Sequence, residues 1–335
     1  MRILKLAVLS VALAALATPQ FAAAQQKTYK IGAAVYGLKG EFMQLWVNAL
    51  KDHPAVRDGT VKLTVFDGKY DALTQNNQFD TMVTQKFDGI LFVPIDIQAG
   101  AEAVEKAAAA KIPVVGSNTR VNSAKLASYV GSDDAVAGEM EAESVIKAIG
   151  GKGNVVIIEG PIGQSAQIER RKGNQAALAK YKDVKVLEMK TANWSRAESL
   201  SLMENWLTAH SGKINGIIGQ NDEMALGAIE AVKAKGLVPK AIPTAGIDGV
   251  SDAIKAVKAG DMVSILQDAQ GQAQGGLDVL LRQIEGPSYK PRAALWTDYA
   301  SAGLNWGDGT AKQYNVPWTP ITTQNADALL AKRAK

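Results

Sequence analysis

The sequence predicts an α/β chain built as two doubly wound parallel-sheet lobes. Three observations carry that prediction. Short runs of near-continuous Val and Ile alternate with Ala-, Glu-, Lys- and Leu-rich stretches, the pattern of parallel strands covered by helices on both faces. The 335 residues exceed one simple α/β layer and suit two sheets of about four to six strands better than one sheet of nine. Hydrophobic content is 47% and charged content 21%, as in ordinary globular chains.

Taken in order, the chain opens with MRILKLAVLSVALAALATPQFAAAQQ. Arg2 and Lys5 precede an apolar run from Leu6 to Ala17, and Ala22 and Ala24 stand before Gln25. A basic region, a short apolar region and an A-x-A site make residues 1–24 a cleavable signal peptide. A buried N-terminal helix is the alternative, and the run is too short to span a bilayer, which takes ~20 residues. Export, with no cysteine in the chain, points to a bacterial periplasm. It removes disulfides, thiolate metal sites, a thiol nucleophile and a lipidated cysteine anchor. The net charge of +4 falls to +2 without the leader's two cations, too weak a field for a nucleic-acid surface.

Strand-like runs follow at 29–35, 61–66, 89–94, 112–117, 154–160, 184–189, 216–220, 242–248 and 262–268. Helical stretches such as AGAEAVEKAAAAK (99–111) and DAVAGEMEAESVIKAIG (134–150) separate them. Helices end at glycines such as Gly150, Gly236 and Gly260, where a left-handed cap costs glycine little. Asp222 and Glu223 open a helix, at the positive end of its dipole. After Ala302 the chain turns Gly-, Pro-, Asn- and Trp-rich, and a short helix is expected near 326–335.

In open α/β sheets ligands sit beyond the carboxyl ends of strands. Those positions hold Tyr36, Lys39, Phe42 and Trp46, then Ser117, Asn118, Thr119 and Arg120. Further on come Gln164, Gln167 and Arg170, Asn193 and Trp194, Gln220, Asn221 and Asp222, and finally Asp248 and Gln267. Amides both donate and accept hydrogen bonds, and a carboxylate can take two hydroxyl protons. The set therefore suits a neutral polyhydroxylated ligand, with aromatic rings to cover its C–H faces. Each residue also has a plainer role available. Asn221 can cap its helix, Asp248 before Gly249 can make a turn, and Trp194 and Phe42 can be core. Recurrence at successive strand ends favours the ligand.

GQNDEMALGAIEAVKAKG (219–236), AGIDGVSDAIKAVKAGDMVSILQD (245–268), IPVVGSNTR (112–120), YVGSDDAVAG (129–138) and GQSAQIERRKG (163–173) follow one another in this chain. In that order they resemble the ribose-binding-protein group of periplasmic sugar-binding proteins, over about 29–296. The resemblance implies a type I periplasmic binding protein: two α/β lobes, three crossings near 131–133, 267–269 and 295–298, and a ligand held between closing lobes. It gives a first lobe of 25–131 plus 268–296, a second of 132–267 plus 297–315, and a tail of 316–335. Carried over by position, the ligand residues are Tyr36, Phe42, Met43, Asn118, Thr119, Trp194, Asn221, Asp248 and Gln267, with Arg170 reaching inward. Asn118 and Thr119 stand where the ribose binder has an Asp-Arg pair, and Ile168 stands where it has an arginine. A neutral amide does not replace a planar guanidinium, so another sugar, an inositol or a short polyol fits at least as well as ribose.

The function implied is delivery of that ligand to an ABC permease, by a monomer without cofactor. A sensory role beside a chemoreceptor or sensor kinase is the alternative. An enzyme is disfavoured, because His53 and His210 are the only histidines and neither lies in a strand-end motif. Asp222 and Glu223 as a glycosidase pair point about 100° apart on their helix. Asp133 and Asp134 lack the ligand spacing of a calcium loop and read as hinge and cap chemistry.

Overall fold

The computed structural model describes residues 27–333. The leader read over 1–24 and residues 334–335, where the expected C-terminal helix was to end, lie outside them. The strands are β1 (Tyr29–Val35), β2 (Val61–Asp67), β3 (Gly89–Val93), β4 (Val114–Ser117), β5 (Ser128–Gly131), β6 (Gly153–Glu159), β7 (Val184–Thr191), β8 (Gly216–Gly219), β9 (Thr244–Asp248), β10 (Val263–Leu266), β11 (Gln313–Asn315) and β12 (Thr319–Pro320). They form two six-stranded sheets, ordered β11-β5-β4-β3-β1-β2 and β12-β10-β9-β8-β6-β7. Every pairing is parallel except β10 with β12.

The two sheets repeat one strand order, so each has its switch point in the same place. It lies between β1 and β3 in the first and between β6 and β8 in the second, where open α/β sheets take ligands. The central strands earn their place by composition: Ile31, Leu91, Phe92, Ile157, Ile158 and Ile218 have at most 2% of their surface exposed. Burial of each such side chain is worth ~1.5–3 kcal/mol.

The chain passes between the sheets after β5, after β10, and between β11 and β12. The third passage is therefore at 316–318 and not near 295–298. Residues 297–315 belong with the first lobe and not the second, because β11 pairs in parallel with β5. A cluster of aromatic rings holds that segment there. Trp296 and Trp306 approach edge to face at 4.8 Å, and Trp296 and Tyr314 at 5.1 Å. The tail is no separate unit either. β12 pairs with β10, and Ile321 and Ala326, the first residue of the helix Ala326–Arg333, pack into the second lobe's core.

Candidate functional site

The facing strand ends enclose a narrow cavity lined by Tyr36, Phe42, Asn118, Thr119, Gln164, Ala166, Arg170, Trp194, Asn221, Asp248 and Gln267. Nine of the ten residues singled out from sequence line it. Met43 does not: it is 1% exposed and packs in the first lobe's core. Neighbours on a helix point about 100° apart, so Phe42 turns to the cavity and Met43 away from it. Gln164 was noted at a strand end but not carried over as a ligand residue, and Ala166 was not singled out.

Each lining group is fixed by a local device. Asn221 caps the helix Asp222–Ala234, its Oδ1 accepting from the Met224 amide at 3.0 Å. That leaves its amide N–H groups for the cavity. Asp222 does more than favour the helix dipole. Its carboxylate accepts from the Gly249 and Val250 amides at 2.6 and 3.0 Å and from Ser264 Oγ at 2.7 Å, tying together the ends of β8, β9 and β10. Burial nonetheless pushes its pKa up to about 6. The turn it clamps holds Asp248 at a φ of 127°, a conformation that costs a non-glycine residue energy.

Arg170 is buried at 3% exposure. Its Nε donates to Asp134 at 2.9 Å, and its terminal nitrogens donate to the Gln220 carbonyl and to Gln267 Oε1, the latter at 3.3 Å. Asp134 is therefore the partner of Arg170, while Asp133 alone caps the helix Asp134–Ala148. Arg170 also lies 5.5 Å from the centre of the Trp194 ring, within cation–π reach. The Asp248 carboxylate comes only to 3.8 Å of Arg170 and accepts no closer hydrogen bond. Burial raises its pKa well above the usual carboxylate range, against the opposing pull of Arg170. Next to it, Gln267 Nε2 is a buried donor with no partner.

The first lobe contributes acceptors and rings. Thr119 Oγ1 donates to the Pro94 carbonyl at 2.7 Å, leaving its lone pairs free. Asn118, in a left-handed conformation with φ 60°, donates to Gln272 Oε1 at 3.1 Å. Burial raises the Tyr36 hydroxyl's pKa well above its ordinary value, so the phenol stays a donor. Gln164 spans both lobes: it donates to the Pro94 carbonyl at 3.1 Å and accepts from Trp194 Nε1 at 2.6 Å.

The lobes touch outside the cavity too. The Ile97 amide donates to the Gly163 carbonyl at 3.1 Å, and the Arg120 amide to Ser165 Oγ at 2.6 Å. Glu41 accepts from both the amide and the hydroxyl of Ser251, at 3.0 and 2.5 Å. The chain is in a closed form. Neither histidine lines the cavity: His53 is buried against Asp278 and His210 meets Glu188 on the second lobe. Among the described residues no group of three His, Cys, Asp or Glu could hold a metal, and no helix is long and apolar enough to cross a membrane.

Known proteins share this plan. The chain is 35% identical over 269 residues to a xylitol-binding protein of Mycolicibacterium smegmatis, covering 80% of this chain and 76% of that one. It is 31% identical over 260 residues to the ribose import binding protein of Bacillus subtilis, covering 76% and 83%. The structure superposes on an ABC transporter solute-binding protein from Bacillus halodurans with bound myo-inositol at a TM-score of 0.80 and 27% identity, covering 92% and 99%. The family model for the periplasmic binding protein domain matches residues 31–288. With two like-ordered lobes closed over one polar cavity, the chain belongs to the periplasmic binding protein family.

Proposed function

We propose that the protein binds one compact, uncharged sugar or polyol between its lobes, without altering it, for import by an ABC permease. One observation carries this reading most. Asp248, whose carboxylate meets Arg170 only at 3.8 Å, offers an acceptor, and Gln267 Nε2 is a donor with no partner, both buried in the same cavity. A hydroxyl donates and accepts at once, so one hydroxyl answers both groups, whereas an unmet buried polar group costs ~1–3 kcal/mol. Asn221 supplies further donors, and Asn118 and Thr119 supply acceptors from the opposite lobe. Phe42 and Trp194 flank the ligand's carbon skeleton. Arg170, between Asp134 and Asp248, positions Asp248 and Gln267 and supports a neutral guest rather than an acid.

The names of the relatives agree with this class: xylitol, ribose and, for a structural neighbour of 28% identity and TM-score 0.75, D-allose. The narrowness of the closed cavity between Phe42, Trp194, Asn221 and Asp248 favours a single small unit in it. A ligand that binds only the folded chain raises its melting temperature. A thermal-shift screen of xylitol, ribose, xylose, allose, sorbitol, myo-inositol and glycerol, followed by calorimetry, is expected to give at least one saturable binder. No shift with any of them, at millimolar concentration, refutes the reading.

A further inference from the structure

Outside the inner cavity lies a larger inter-lobe space of about 560 Å³, and the two share Trp194. The two lobes furnish it in the same way. After β2, the outer neighbour of β1, Lys69 and Tyr70 are consecutive left-handed residues, with φ 53° and 60°. After β7, the outer neighbour of β6, Asn193 and Trp194 repeat this, with φ 53° and 59°. Each turn is pinned alike: Asp67 accepts from the Lys69 amide at 2.9 Å, and Thr191 Oγ1 from the Asn193 amide at 3.2 Å.

Each ring also needs a glycine. A Cβ on Gly37, just past β1, would fall 2.2 Å from the Tyr70 ring, and one on Gly160, just past β6, 2.0 Å from the Trp194 ring. Left-handed backbone is strained for a non-glycine residue. Four such residues, arranged as two equivalent pairs, hold one aromatic side chain from each lobe against one space. Such strain concentrates at ligand clamps. The Tyr70 ring in turn lies 5.5 Å from that of Tyr36, which lines the inner cavity, so aromatic surface runs from one space to the other.

We infer that the outer space is a second subsite, taking a second neutral hydroxyl-bearing unit of the same ligand. The protein then accepts a glycoside of its polyol, or a disaccharide, besides the single unit. Tyr70 and Trp194 cover the second unit's C–H faces. Asn193, Ser195 and Glu198 meet its hydroxyls, and Lys39 and Arg196 balance Glu198 and Glu223 in charge, so the unit is uncharged. This inference rests on the reading of the inner cavity given above.

The test is calorimetry on wild type and Tyr70→Ala with paired probes: myo-inositol and galactinol, sorbitol and maltitol, xylose and xylobiose. For the pair whose single unit binds best, the two-unit probe is expected to bind at least as tightly. Tyr70→Ala is expected to weaken the two-unit probe at least fivefold more than the single unit. Tyr70→Leu, which keeps bulk over Gly37, gives the same comparison if the alanine variant does not fold. A two-unit probe more than tenfold weaker than its single unit, or an equal loss for both probes in the variant, overturns the second subsite and leaves the inner one standing. If no probe of either size binds, both readings fall.

Discussion

Glu41 sits outside the ligand cavity, yet ligand affinity should depend on it. It is the first residue of the helix Glu41–Lys51 in the first lobe. Its carboxylate meets the amide and hydroxyl of Ser251 across the cleft at 3.0 and 2.5 Å. Ser251 begins the helix Ser251–Ala259, whose cap position is Val250, and no side chain of its own turn caps it. The other lobe thus supplies the cap, and only while the lobes are closed. Once they part, both groups return to water, so Glu41→Ala leaves the open form nearly untouched. Losing a helix cap costs ~0.5–2 kcal/mol, and a hydrogen bond to a charged group ~1.5–3 kcal/mol. Both partners are half-buried, and water screening favours the low end of those ranges. About 1–2 kcal/mol is a factor of ~5–30 in the closed-to-open ratio. A ligand that must draw the chain closed loses apparent affinity by the same factor. Calorimetry with the best-binding polyol should show that loss for Glu41→Ala. Glu41→Gln should lose about half the free energy, because it keeps an acceptor without the charge. A Kd within twofold of wild type for Glu41→Ala, in a folded protein, refutes the reasoning.

Asp248→Ala should weaken the best-binding polyol by ~1.5–3 kcal/mol, about 10- to 150-fold by calorimetry, and unchanged affinity removes Asp248 from the site. Asp278 accepts from His53, Tyr289, Trp296 and the amides of Arg292 and Ala293, wholly within the first lobe. Asp278→Ala should therefore cost ~3–5 kcal/mol in urea unfolding while leaving Kd, measured where the variant is folded, within about threefold. Asp222 makes stability fall with rising pH. Its folded pKa is about 6 against 3.8, so between those values the folded state holds a proton that the unfolded state releases. The stability difference between Asp222→Asn and wild type should shift in the variant's favour by on the order of 2 kcal/mol from pH 4 to pH 7. A difference that stays constant over that range contradicts the burial argument for Asp222.

The strands buried on both faces were legible, because a parallel strand under two helical layers must be apolar throughout. Ser128–Gly131, Gln313–Asn315 and Thr319–Pro320 were not, since SYVG, QYN and TP hold too few apolar residues to make such a run. The strand-end rule found most of the cavity, because backbone direction fixes where a residue after a strand must lie. Helix phase was harder to read. Phe42 and Met43 are both apolar neighbours, and only packing decides which one faces the cavity. Gln164 was visible as a strand-end amide, but its task is to hold Trp194 and the Pro94 carbonyl, a pairing across the two lobes. Tyr70 stands in GKYD, a stretch not singled out from the sequence; its left-handed backbone and its place over Gly37 are tertiary facts. The third crossing was misplaced because the resemblance ends at Trp296, while the aromatic cluster returns the chain to the lobe it came from.

In this reading polar groups from both lobes, with the unpartnered Gln267 Nε2 among them, converge on a hydroxyl-rich guest. A crystal structure with the tightest-binding small polyol or sugar tests it most directly. One ligand hydroxyl should lie within about 2.6–3.2 Å of both an Asp248 carboxylate oxygen and Gln267 Nε2, with Phe42 and Trp194 on either side of the carbon skeleton. A ligand seated elsewhere, or one that leaves Asp248 and Gln267 without a hydroxyl partner, would contradict the account.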